Sequence, residues 1–84
     1  MIKDFIKNND LLFTEGNRNL TVITCIGYAQ HLGWDKEDLK NELVHERAAD
    51  PFISEEIERL WNWAASKNYK NFWDTPRAKK EYKF

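Results

Sequence analysis

Few side chains in this 84-residue sequence are of a type and spacing that would do covalent chemistry. Cys25 lies in the apolar run Val22-Ile23-Thr24-Cys25-Ile26, where a thiol serves as a small hydrophobe rather than a nucleophile. A structural zinc centre takes about four Cys or His ligands. Cys25, His31 and His45 offer no pair at the usual ligand spacing. The three glycines, Gly16, Gly27 and Gly33, are scattered and build no phosphate-cradling loop. Carboxylates are plentiful, but they fall in helix first turns and on polar helix faces. None forms a pair isolated among apolar residues, where an acid's pKa would rise. The residues therefore describe a non-catalytic chain that needs no metal and no cofactor.

Two features could bind rather than react. The first is the turn Glu15-Gly16-Asn17-Arg18-Asn19, which opens an apolar helix. The first backbone N–H groups of a helix point outward and its dipole is positive there. Arg18 adds a planar fork suited to phosphate, and Asn17 and Asn19 can both donate and accept hydrogen bonds. The competing reading is structural: Asn17 caps the helix while Arg18 pairs with Glu15. The second feature is the end of the chain, where Lys67, Lys70, Arg77, Lys79, Lys80 and Lys83 alternate with Tyr69, Phe72, Trp73, Tyr82 and Phe84. Rings for bases and cations for phosphates suit single-stranded nucleic acid, with stacking worth about 1–3 kcal/mol per base. The same rings could instead close the core, or anchor a protein partner. The residues alone leave all three open.

The elements that position these features read as helices throughout. Ile2, Phe5 and Ile6 fit one face of a short helix that ends at Asn8-Asn9-Asp10. Val22, Cys25, Ile26, Ala29 and Leu32 give a second helix from Asn17 to Leu32, widened by Leu20, Ile23 and Tyr28 into the most buried of the set. Gly33 stops it. Asp35 caps a third helix, with Asp38 three residues on and Trp34 spaced to staple against Leu39. Asp50-Pro51 breaks it. Ser54 is read as the cap of a fourth helix, with Ile57, Leu60, Trp61 and Ala64 facing inward. Beyond Asn71 the sequence predicts loop or a short last helix docked through Phe72 and Trp73. The expected fold class is all-α: a small bundle of about four helices over 1–68, with an aromatic-basic extension over 69–84.

The formal net charge of −1 conceals an asymmetry. Residues 1–66 carry 7 of the 13 basic and 12 of the 14 acidic residues, a balance of −5, and residues 67–84 carry the rest, a balance of +4. A basic end on an acidic body points to an anionic partner for that end. The single cysteine, the absence of an apolar run near the ~18 residues of a membrane span and a start that does not resemble a signal peptide lead to an expected cytoplasmic, membrane-free setting.

From Leu12 to about Tyr69 the sequence resembles the primase C-terminal, or helix-bundle, domain of plasmid, phage and mobile-element primases. The Glu15-Gly16-Asn17-Arg18-Asn19 turn is similar to that family's Glu-Gly-x-Arg-Asn turn. The same order of elements follows: Leu32-Gly33, Trp34-Asp35-Lys36-Glu37-Asp38-Leu39, Asp50-Pro51-Phe52 and Ile53-Ser54-Glu55-Glu56-Ile57-Glu58-Arg59. The resemblance implies a DNA-replication accessory that grips single-stranded template or an initiating nucleoside triphosphate. Asn17, Arg18 and Asn19 would be the contacts. Family members usually follow a catalytic core, and these residues contain none, so the resemblance implies a DNA polymerase or primase catalytic subunit as a separate partner. The alternative is a small protein-interaction module, a phage-type regulator or inhibitor, that uses the aromatic end. A double-stranded DNA reader is disfavoured because the helix over residues 35–48 carries five acidic residues against three basic ones.

Overall fold

The computed structural model describes residues 2–11, 16–46 and 51–83, with the backbone alone for 44–46, 51–52 and 70. These form α1 (Ile2–Asn8), α2 (Arg18–His31), α3 (Lys36–Glu46), α4 (Pro51–Ser66), a 3₁₀ helix (Tyr69–Asp74) and α5 (Pro76–Glu81). The described residues contain no strand, and the fold is a small all-α bundle.

Local chemistry sets the boundaries. At the end of α2, Gly33 adopts φ +82°, its N–H donates to the Gln30 carbonyl, and the Trp34 N–H donates to the Ala29 carbonyl. This paired closure satisfies the last carbonyls of the helix and turns the chain toward α3. Asp35 and Asp38 then exchange bonds: the Asp38 N–H donates to Asp35 Oδ1 at 2.9 Å, and the Asp35 N–H donates to Asp38 Oδ2 at 3.1 Å. This is the reciprocal cap expected from the sequence. The fourth helix differs from expectation. It begins at Pro51, so Ser54 lies inside the first turns rather than at the cap. Proline's fixed φ suits the first helical position, and that position prevails over the Ser54 signal.

α2 and α4 form the main seam, closed on one side by α3 and on the other by the 3₁₀ helix. Val22, Cys25, Ile26 and Ala29 of α2 meet Ile53, Ile57, Leu60 and Ala64 of α4, with Leu39 and Leu43 from α3 and Ile2, Phe5 and Ile6 from α1 completing the core. Each large apolar side chain buried in this way contributes about 1.5–3 kcal/mol. On the outer surface Lys36 and Lys40 of α3 both reach Glu58 of α4. Hydrogen bonds from Lys36 and then Lys40 hold the Glu58 carboxyl down at about 2.

The segment expected as an extension packs directly against α2 and closes the core. Trp73 is only 4% exposed, and Ala78 of α5 is fully buried. Phe5 stacks on Tyr28 at 4.0 Å, and the Trp73 ring sits edge-on to Phe5, Tyr28, Phe72 and Tyr82 at 4.9–5.4 Å. Core closure, one of the three readings of this segment, thus holds for Trp73. Thr75 starts α5, accepting from the Ala78 N–H while its hydroxyl donates to the Phe72 carbonyl at 2.6 Å. No described helix is long and apolar enough to cross a membrane.

Candidate functional site

One face of α2 is left partly uncovered. Leu20, Ile23, Thr24 and Gly27 recur at three- and four-residue spacing and so form a single stripe. The 3₁₀ helix runs beside that stripe, and Tyr82 folds back behind it. Between them lies a groove of about 270 Å³, walled on one side by those four residues and on the other by Tyr69, Phe72, Trp73 and Tyr82. Leu20 is 68% exposed at its mouth. Leu20, expected to widen the buried stripe of α2, is exposed instead, whereas Ile23 is half-buried, packing against the core while lining the groove.

Gly27 makes the groove possible, and the sequence reading gave it no role. A Cβ there would stand 3.2 Å from Trp73 Nε1 and 3.4 Å from Tyr69 Cβ. The missing side chain lets the 3₁₀ helix approach α2 closely. A glycine in the middle of an apolar helix, which costs about 1 kcal/mol against alanine, was the available signal.

The sequence-predicted residues divide among different settings. Gly16 takes φ +89°, and the Asn17 carbonyl accepts the first α2 bond from the Thr21 N–H. Asn17 is the residue before the helix, but its side chain makes no capping bond. Asn17 and Asn19 are exposed. Arg18 takes a partner the sequence did not indicate: its Nε donates to Glu56 Oε1 of α4 at 2.8 Å, with side-chain exposures of 37% and 12%. The second oxygen of Glu56 is buried without a hydrogen-bond partner. Glu56, read from sequence as a first-turn acid, is thus the group that ties the start of α2 to α4. Glu15 lies outside the described residues, as does Phe84.

The described basic side chains of the end segment are exposed but line no part of the groove themselves. Lys79 and Lys80 are exposed on α5, where they also oppose the negative end of its dipole, and Lys83 is exposed beside Tyr82. Lys79 precedes Tyr82 by one helical turn. Arg77 is exposed and donates from Nε to Glu81 at 3.0 Å. Lys67 is exposed after α4, and of Lys70 only the backbone is placed. Among the rings, Tyr69, Phe72 and Tyr82 are half-buried at the groove, whereas Trp73 is 4% exposed and forms its floor. Trp63, exposed on α4, meets Tyr69 edge-on at 5.3 Å and extends the apolar surface.

Little in this region is suited to bond-making. Burial raises the Cys25 thiol to about 12, which removes the thiolate at neutral pH. Among the described residues no group of three or more His, Cys, Asp or Glu could hold a metal ion. The region combines an apolar groove with exposed lysines in the segment that forms one of its walls and with the start of a 14-residue helix. Comparisons with family models, curated proteins and solved structures find no match to this chain.

Proposed function

We propose that this chain is a non-catalytic accessory of DNA replication that holds single-stranded template for a separate primase or polymerase chain. The observation that carries the reading is the fold-back of residues 69–83, which sets the exposed Lys79 one helical turn before Tyr82 and lines the groove with the half-buried rings Tyr69, Phe72 and Tyr82. Lys80 and Lys83 are also exposed in that segment. Cations along a row of rings bind single strands through phosphate neutralisation and base stacking. The exposed first turn of α2, with Asn17 and Asn19, lies next to the groove mouth at Leu20 and can take a further phosphate. The similarity of the Glu15–Asn19 turn and the following helix starts to primase helix-bundle domains supports the same reading.

The test is fluorescence anisotropy of a labelled single strand at low and moderate salt, with the protein alone and with a candidate primase or polymerase chain. Each phosphate contact contributes roughly −0.7 to the slope of log affinity against log salt for single strands. Three lysines therefore give a slope of about −2, and changing Lys79, Lys80 and Lys83 together to Gln should bring it near zero. Absence of strand binding both with and without the partner chain would end the DNA half of the proposal. A second reading, a protein-interaction module, is favoured by the apolar lining of the groove and by the exposure of Leu20.

A further inference from the structure

The groove and the lysines beside it differ in chemistry. The α2 wall is aliphatic, and its one side-chain hydroxyl, on Thr24, already donates to the Leu20 carbonyl at 2.8 Å. A nucleobase stacked on the rim rings keeps its polar edges in water, but seating it inside the groove would bury those edges without partners, which is unfavourable. An apolar side chain brings no such penalty. At about 270 Å³ the groove is also at the small end of ligand sites, which run roughly 300–1,000 Å³, so it suits an anchoring side chain rather than a large ligand.

Charge narrows the occupant further. Lys79 stands one helical turn before Tyr82, Lys80 and Lys83 are exposed in the same segment, and the end segment as a whole carries +4 against −5 for the remainder. An acidic segment is repelled by the body of the protein and attracted to this end alone, which fixes where it lands. We infer that the groove seats an acidic segment of a partner protein, with one large apolar side chain, Leu, Ile or Phe, held between α2 and the 3₁₀ helix and flanking carboxylates on the α5 lysines. The inference specifies how the chain docks on a partner; it rests on the partner half of the proposed function and can hold where the DNA half fails.

The probe is a fluorescein-labelled synthetic peptide of Asp and Glu residues ending in Leu-Phe, measured against the whole chain by anisotropy. Two control peptides carry Ser-Ser in place of Leu-Phe, or Asn and Gln in place of the acids. The acidic-apolar peptide should bind, and each control should bind about tenfold more weakly, the scale of losing one anchoring contact. Thr24→Phe, which fills the groove without changing charge, should lower peptide affinity by about tenfold or more while the melting temperature stays within error. Leu20→Ser, at an exposed position, should act in the same direction without disturbing the core. Peptide affinity that is indifferent to the Leu-Phe end or to Thr24→Phe would overturn the inference, leaving only diffuse charge attraction. Loss of single-strand binding in Thr24→Phe, with peptide binding unchanged, would also overturn it and make the groove a base seat. Failure of strand binding alone, with peptide binding intact, would remove the DNA half of the proposed function and keep this inference.

Discussion

Gly27 is where two opposing effects can be separated by experiment. Replacing a mid-helix glycine with alanine ordinarily stabilises a helix by about 1 kcal/mol. Here the new methyl would meet Trp73 Nε1 at 3.2 Å and Tyr69 Cβ at 3.4 Å, so a neighbour must give way by a few tenths of an ångström. Trp73 is poorly placed to do so, being 4% exposed and wedged among four rings at 4.9–5.4 Å. Overpacking of this kind costs about 1–3 kcal/mol. The net expectation for Gly27→Ala is a loss of about 1 kcal/mol, a fall in melting temperature of roughly 4–8 °C for a domain of this size. In a Trp73→Phe background the indole nitrogen is gone and the helix gain should surface, making Gly27→Ala stabilising by about 1 kcal/mol. Urea titration followed by helical circular dichroism completes the cycle, and a coupling of about 2 kcal/mol between the two sites is the signature. A gain of about 1 kcal/mol in both backgrounds would refute the close seat of the 3₁₀ helix on α2.

Arg18→Ala should destabilise the fold by about 1–3 kcal/mol, because it leaves the Glu56 carboxylate, 12% exposed, without the guanidinium it accepts from. Adding Glu56→Gln should recover part of that loss in the same urea assay, and an unchanged midpoint for Arg18→Ala alone would show the pair to be idle. Glu58, held at about 2 against an ordinary 4.5, binds its proton less readily when folded, so its contribution is complete above pH 4.5 and disappears as the pH falls toward 2. Glu58→Gln should flatten that acid limb in a pH series of thermal melts, and an unaltered limb would place the acid sensitivity elsewhere. Cys25, raised to about 12 by burial, should react with a thiol reagent at pH 8 only at the rate at which the protein unfolds, with denaturant restoring ordinary reactivity.

The helix order was legible because caps and periodicity are local. Gly33, the Asp35–Asp38 exchange and the Ile57–Leu60–Ala64 stripe each declare themselves within a few residues. The site was less legible, since its parts are fixed by packing between distant elements. Leu20 and Ile23 fit the apolar stripe of α2 as well as Val22 and Cys25 do, and only the position of α4 decides which side is covered. Rings interleaved with lysines have one composition whether they close a core or bind a strand, so Trp73 could not be distinguished from Tyr69 by sequence. Arg18 bonds Glu56, 38 positions away, and no local rule points to so remote an acid.

Asn9 and Lys83 exchange two bonds: the amide of Asn9 donates to the Lys83 carbonyl at 2.8 Å, and the Lys83 N–H donates to Asn9 Oδ1 at 2.7 Å. Their separation of 74 positions makes this a long-range latch, set beside the ring contact of Phe5 with Tyr82. In kinetic terms, such a latch closes after the search entropy of a long loop has been overcome, whereas the turns within each helix form locally and early. Loop-closure entropy thus predicts that the rings around Trp73 gather after the local helix turns, and the groove with them. A chain with that latch open keeps its local helix turns but loses the wall that Tyr82 lends to the groove.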